Sequence, residues 1–418
     1  MPALQSRDFR LFWVGNIISV SGQQMYTVVQ PWIIYELSGS KLLLGLSGLA
    51  QAIPATVLTL YGGVIADKVD QKKLLVVASL LQVLTLLTMA AISFTELLTP
   101  WLVMAGSFVF SAVSSFEGPA RHAMFPHLTE RRNIANAVAL NATVHPGTRI
   151  GGPVVAGFLL AAVMDATTAR IAAGVIYSLT AVGYLVMVSL LLRVRMPEVR
   201  RAHDGHVIAD MAAAIRFIWR NRIFAALIGT AYFTQFFGHA SQVMFPVFAK
   251  DILDVGPSGL GLMYTAMGIG SFTAAASHTS LGAARLQRSL LVGGAALGGT
   301  ALFLFAISTW FISSLLLLFL AGLGLSTLNV AVQTNLQLLV SDDFRGRVMG
   351  MWGMVHTSIR PLGEMQAGAL AAATSAPLAL MVSGVAILVF VAVFIAPNRL
   401  LRNLGGTRVQ AHGEAVQP

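Results

Sequence analysis

The chain has 418 residues, of which 56% are hydrophobic and only 11% charged, with a formal net charge of +10. So little charge cannot wet the surface of a soluble protein this long, and apolar stretches recur along its whole length, so a soluble enzyme is excluded and a polytopic membrane protein is indicated. The absence of cysteine excludes disulfides, zinc fingers and iron–sulfur clusters. A spanning helix needs about 20 mostly apolar residues. By that measure the first half predicts spans at 9–35, 42–66, 74–95, 101–122, 134–164 and 169–192. The second half predicts spans at 223–249, 259–280, 289–308, 310–340, 348–372 and 377–396. The apolar run from Phe9 is too long for the core of a cleavable signal, so the first helix is expected to stay in the mature protein.

The cationic residues orient these twelve spans. With the N-terminus placed inside, 22 of the 27 lysines and arginines fall in cytoplasmic segments and three, Lys41, Arg170 and Lys250, in outer loops. Arg149 and Arg360 remain within spans. This asymmetry follows the positive-inside rule, predicts both termini in the cytoplasm, and accounts for the basic charge without nucleic acid. The longest polar stretch, 193–222, falls mid-chain. Within it 207–219 is amphipathic, with Ile208, Met211, Ile215 and Ile218 on one face, as suits a helix at the inner surface joining two halves.

An internal repeat supports two halves. Val144-His145, Arg149 and Gly157 in the fifth span recur as Val355-His356, Arg360 and Gly368 in the eleventh, at a constant offset of 211 residues. The expected fold is therefore an all-α membrane protein with twelve transmembrane helices in two pseudo-symmetric six-helix bundles. The expected division is 1–193 for the first bundle, 194–222 for the linker, 223–397 for the second bundle and 398–418 for a cytoplasmic tail.

After the second span the chain reads Gly62-Gly63-Val64-Ile65-Ala66-Asp67-Lys68-Val69-Asp70-Gln71-Lys72-Lys73. This resembles the Gly-x-x-x-Asp-basic signature of the major facilitator superfamily, between its second and third helices. Asp70 departs from the glycine that the superfamily prefers there, and an acid at this place resembles the branch containing the enterobactin exporter and macrolide efflux proteins. Two further segments resemble the same branch at the same loops. One is Asp342-Asp343-Phe344-Arg345-Gly346-Arg347-Val348-Met349-Gly350. The other is Gly118-Pro119-Ala120-Arg121-His122, leading to Glu130-Arg131-Arg132 and Asn136-Ala137-Val138-Ala139-Leu140-Asn141. The resemblance covers essentially the whole chain and implies the major facilitator fold and an export function. It also implies a conformational latch. Asp67 would accept hydrogen bonds from the start of the eleventh helix near Gly346, with Lys68, Lys72, Arg121 and Arg347 alongside. The alternative is a solvated turn whose lysines only follow the positive-inside rule. Gly147, Gly151, Gly152, Pro153 and Gly157 resemble the glycine–proline motif of the fifth helix in superfamily exporters, where small residues allow close approach and proline bends the helix.

Ionisable groups within the spans carry the most information, because each costs several kcal/mol unless it faces a cavity or a partner. At ~1.5 Å per residue, Arg149 falls near the midplane. Arg360 falls at the matching depth, with Glu364 one turn beyond on the same face, so the two can pair. His145 and His356 lie one turn from the arginines. Glu117 lies nearer the cytoplasmic end than Arg149, with Arg121 one turn later, so a direct bridge from Glu117 to Arg149 is not expected. Arg149 and Arg360 would favour an anionic or oxygen-rich substrate, and Glu117, or Glu364 with a neighbouring histidine, would carry a proton. The alternative makes Arg360 and Glu364 a structural pair and the histidines backbone partners.

In the major facilitator fold cavity walls come mostly from spans one, four, seven and ten. Span one offers Gln23, Gln24, Tyr26 and Gln30 beside Asn16; span seven offers Tyr232, Gln235 and His239; span ten offers Gln333 with Asn329. About half are expected to be helix–helix hydrogen-bonding groups instead. The expected function is a proton-driven antiporter of the bacterial inner membrane exporting a siderophore, macrolide or other amphipathic compound by alternating access. A proton-coupled importer of a small organic anion is the second reading. A receptor or enzyme would need a soluble input domain or a reactive constellation, and the chain has no Gly-x-Ser-x-Gly, no Walker loop and no metal-ligand spacing. No cofactor or metal is expected. The expected partners are lipid, a small molecule and protons, with no nucleic acid, and a monomer suffices.

Overall fold

The computed structural model describes residues 2–196, 221–280, 287–340 and 359–398, with isolated positions at 216, 218, 344, 348–349, 352–353 and 401. Among these residues the regular structure is entirely helical. The chain forms two compact units: one holds residues 1–205 with 246–265, the other 206–245 with 266 onward. The amphipathic stretch 207–219 lies outside the described residues apart from Arg216 and Ile218.

The first unit holds α1 (Arg7–Ser38), α2 (Lys41–Lys68), α3 (Gln71–Phe94), α4 (Pro100–Met124), α5 (Ile134–Ala166) and α6 (Ala169–Arg193). Their starts are fixed locally. Ser6, Asp70, Thr99 and Thr168 each accept a hydrogen bond from the backbone N–H three residues on, which satisfies one of the donors that a helix start leaves open. The Asp70 carboxylate accepts from the Lys73 N–H at 3.0 Å, so the acid that departs from the superfamily's glycine caps α3. α1 packs against α5 and α6, α2 against α4, and α3 against α4 and α6. The inner surfaces carry the aromatic groups: Tyr26 stacks on Phe110 at 4.5 Å, and Tyr177 and Tyr184 are fully buried beside them. Leu84, Leu97, Val182 and Leu192 point outward, as a lipid-facing surface requires. Near the N-terminus, Phe9, Phe12, Leu75, Met124, Leu128, Leu140 and Leu191 form an apolar cluster. Around it the Ala3 N–H donates to Asn136 at 3.1 Å, the Trp13 indole N–H to the Leu140 carbonyl at 3.2 Å, and the Asn16 amide to Asn141 at 3.0 Å. The two asparagines of the Asn136–Asn141 motif thus tie the N-terminal segment to α5, Asn136 through Ala3 ahead of α1 and Asn141 through Asn16 within it.

The second unit contains α7 (Arg222–Phe237), most of α8 (Gly256–Ser280), α9 (Gln287–Ile307), α10 (Phe311–Leu339), α11 (Arg360–Ala373) and α12 (Ala376–Phe390). α9 packs on α10 and α12, and Phe233 of α7 stacks on Phe390 at 4.1 Å. The seventh span corrects the expectation of one continuous helix over 223–249. α7 ends at Phe237; a 3-10 stretch runs from His239 to Met244, and a π-helical turn from Phe248 to Ile252. Pro246 explains the tightening. It has no N–H to give the carbonyl of Gln242, and its ring would clash there. The Phe245 N–H bonds that carbonyl instead, in 3-10 fashion. The twelfth span likewise ends in a π-helical turn, Val391–Ile395. Eight helices among the described residues are long and apolar enough to cross a membrane.

Candidate functional site

Each unit embeds a carboxylate, and each carboxylate has an arginine one turn away on its own helix. In the first unit Glu117 pairs with Arg121 on α4, and the two residues are only 4% and 7% exposed. In the second, Arg360 Nε donates to Glu364 Oε1 at 2.8 Å on α11. The four-residue spacing stacks the two groups of each pair on one helix face, so neither depends on another helix to be formed. An uncompensated charge at this depth would cost several kcal/mol, which the pairing largely removes.

The surroundings differ. Arg121 Nε is buried without an acceptor among the described residues, so the first pair is not saturated. Tyr184, fully buried on α6, and His145 of α5 lie within electrostatic reach of this pair or of its arginine, and His145 also of Arg149 and His122. His145 and Arg149 are themselves exposed within the first unit. That unit therefore gathers Arg121, His122 and Arg149 within electrostatic reach of His145, and of these Arg121 is paired with the Glu117 carboxylate. In the second unit, Gln242, from the 3-10 stretch that interrupts span seven, accepts from Arg360 Nη2 at 3.2 Å. Its amide group donates to Met267 Sδ at 3.0 Å. The Arg360 side chain is 34% exposed and that of Glu364 12%, so the arginine is the more accessible partner.

The expected cavity-wall residues divide. Tyr26 is 4% exposed, shares a 2.8 Å hydrogen bond with Ser107 of α4, and sits inside the first unit rather than on a wall. Gln30 accepts from Gln51 of α2 at 3.1 Å and is also buried. Asn16 is held by Asn141. These are contacts between helices, which an embedded polar side chain makes wherever a partner helix offers a group. Gln235 is buried and donates to Asn329 at 3.4 Å. Gln23, Gln24, Tyr232, His239 and Gln333 are half-buried and stay accessible.

The glycines of α5 divide as well. A Cβ on Gly157 would lie 2.6 Å from the Pro257 carbonyl and 2.8 Å from Gly261 Cα, and one on Gly152 would lie 2.5 Å from Gln24 Cβ. Both are sites of close approach, and the Pro153 carbonyl borders Gly261 from the same side. An added Cβ on Gly147 or Gly151 would meet nothing within 4 Å among the described residues.

Of the expected latch, Gly346 and Arg347 lie outside the described residues, as do His356 and the side chains of Asp67 and Lys68. Lys72 donates from Nζ to the Val194 carbonyl at 2.7 Å, beyond the end of α6, and Arg121 is engaged with Glu117, so both act within the first unit. Gln242, Gln51 and Tyr184 were not among the expected site residues. Their partners lie on other helices, and no local spacing reveals them.

Comparison with known proteins agrees with this architecture. The chain is 26% identical over 385 residues to the enterobactin exporter EntS of Salmonella typhimurium, covering 90% of this chain and 88% of that protein. It is 23% identical over 382 residues to macrolide efflux protein A of Streptococcus pyogenes, covering 85% and 87%. The crystal structure of a bacterial homolog of the human lysosomal transporter Spinster superposes with a TM-score of 0.77 at 13% identity, over 97% of this chain and 98% of that one. Such an identity speaks for the fold alone. Residues 1–407 match the transmembrane secretion effector family. With its all-helical fold and embedded ion pairs, the chain belongs to that family and is a multi-pass membrane transporter of the major facilitator superfamily.

Proposed function

We propose that the protein is a proton-driven exporter of an amphipathic organic compound, such as a siderophore or a macrolide, resident in the bacterial inner membrane with both termini in the cytoplasm. The division at 194–222, alternating access between the two bundles and a working monomer belong to the same reading, as does an inner latch at Asp67. The observation that carries it is the self-neutralised carboxylate–arginine pair embedded in each unit, Glu117–Arg121 and Arg360–Glu364. A proton on the carboxylate releases the arginine, and a proton leaving it recaptures the arginine. Each pair is thus a proton site with a built-in counter-ion, and a substrate can compete for either member. The efflux and siderophore-export names of the relatives support the direction of transport.

The pair also ties the direction of proton coupling to substrate charge. A cationic group competes with the proton for Glu364, so substrate and proton exclude one another, as antiport requires. An anion or oxygen-rich group takes Arg360 and leaves Glu364 uncompensated, so substrate and proton bind together, as symport requires. The greater exposure of Arg360 favours approach by an anion and so supports the second reading, a symporter of a small organic anion.

Proteoliposomes carrying an internal pH dye and an imposed proton gradient test both, against a panel of siderophores, macrolides and organic anions. Antiport predicts that a compound dissipates the gradient when its export is coupled to proton entry. Symport predicts that protons and compound enter the same compartment. If no compound in the panel moves protons in either sense, the proton-coupled proposal is wrong.

A further inference from the structure

Two adjacent polar contacts join the end of α1 to the π-helical turn of span seven, both within the first unit. The Tyr35 hydroxyl donates to the Asp251 carboxylate. Lys250 Nζ donates to Glu36 Oε2 at 2.8 Å. Consecutive residues of one segment thus grip consecutive residues of another more than 210 positions away. Local backbone sets up both sides. Gly39, at φ +61°, turns its N–H onto the Tyr35 carbonyl at 2.8 Å and ends α1 just beyond the gripping residues. The π-helical turn Phe248–Ile252 carries Lys250 and Asp251, a rare widened geometry frequent at functional sites.

Beneath these contacts α5 and α8 approach closely at two glycines. Gly157 of α5 and Gly261 of α8 meet backbone to backbone, and Thr265 Oγ1 donates to the Ile150 carbonyl at 3.1 Å. The first residues of α8, to Thr265, belong to the first unit, and the rest of that helix to the second.

We propose that Tyr35, Glu36, Lys250 and Asp251 are positioning residues of the transport cycle. They hold shut the end of the pathway that faces away from the cytoplasm, and they part when that end opens. The inference rests on the orientation and alternating access proposed above. The chemistry suits a joint that must break reversibly. The side chains of Lys250 and Glu36 are 39% and 24% exposed, so parting them returns both charges to water at little cost. At the glycine contact below, backbone meets backbone, and the Thr265 hydroxyl is a small side-chain group to release when the helices part. A permanent joint in this setting would be expected to interlock bulky apolar groups.

The chain has no cysteine, so a single reporter needs no prior substitution. Thr265→Cys places a thiol at a position only 7% exposed, beneath the glycine contact. Its labelling by a membrane-impermeant maleimide added outside intact cells reports opening. Labelling is expected to be slow with the four residues intact. Opening should speed it roughly two- to five-fold with Glu36→Gln or Lys250→Gln, the worth of a partly exposed ion pair. It should speed about ten-fold with Tyr35→Phe, which removes a hydrogen bond to a carboxylate. The double exchange E36K/K250E restores an ion pair of opposite polarity, so its labelling should return to the slow rate, which separates loss of the contact from general loosening. Unchanged rates in all three single variants overturn the proposal, as does fast labelling in the Thr265→Cys chain alone. Labelling from the cytoplasmic side only overturns the assignment of this end to the outside. The assay needs neither a transported compound nor a proton gradient, so its failure and that of proton coupling are told apart.

Discussion

Glu117→Gln isolates the energetics on which the functional proposal depends. The substitution keeps the side chain's shape and removes its charge, leaving Arg121 in place, 7% exposed, with its Nε already lacking an acceptor among the described residues. Stranding one member of a buried pair costs about 3–5 kcal/mol, whereas removing both members together is often neutral. Glu117→Gln and Arg121→Gln should therefore each destabilise by roughly 3–5 kcal/mol, and the double substitution should recover most of that loss. The contrast is Glu36→Gln. Its ion pair with Lys250 is partly exposed, so the cost should stay below about 1 kcal/mol. Chemical denaturation of the four purified proteins in one detergent measures the cycle. On these figures the coupling energy between positions 117 and 121 is expected to be roughly 4 kcal/mol or more, above the ~0.5–3 kcal/mol usual for contacting residues because each single substitution strands a buried charge. A coupling below about 0.5 kcal/mol would mean that the two charges are separately hydrated, and the proton-site argument for α4 would fail with it.

Tyr26→Phe removes a buried hydroxyl whose partner Ser107 keeps its own bond to the Val103 carbonyl, so stability should fall by only about 1 kcal/mol and the concentration for half-maximal transport should not move. Gln242→Ala removes one of the two groups that, among the described residues, hold the Arg360 guanidinium, and should raise the concentration for half-maximal transport several-fold with little change in maximal rate, as measured by counterflow in vesicles. Gly157→Val drives a branched side chain into Pro257 and Gly261, and thermal denaturation should show a loss of roughly 1–3 kcal/mol, whereas Gly147→Ala, where an added Cβ meets no described residue within 4 Å, should change stability by less than about 1 kcal/mol. Single cysteines replacing Lys72 and Lys41 should label from opposite faces of the membrane, Lys72 from the cytoplasm; labelling from the same face would overturn the proposed orientation.

The span positions follow from the sequence because a bilayer demands about 20 apolar residues per crossing and the breaks carry the charges. α2 at Lys41–Lys68 and α6 at Ala169–Arg193 lie within two residues of the predicted spans 42–66 and 169–192. The Arg360–Glu364 pair is equally legible, since a four-residue spacing on a helix dictates contact. The same spacing joins Glu117 to Arg121, but charge placement alone counts Arg121 among the cytoplasmic cations at the end of span four, because a sequence does not show where a helix sinks into its neighbours. The helices are apolar nearly all round, so no stripe distinguishes the cavity face from the packed face. Only tertiary structure turned Tyr26 and Gln30 inward onto Ser107 and Gln51. Only tertiary structure, too, brought Gln242 to Arg360 and Lys250 to Glu36, groups separated by 118 and 214 residues. Hydrophobicity and helical spacing act within one segment and can be read there. Partners on different helices are chosen by how the helices pack, a property of the assembled bundle that no single segment carries.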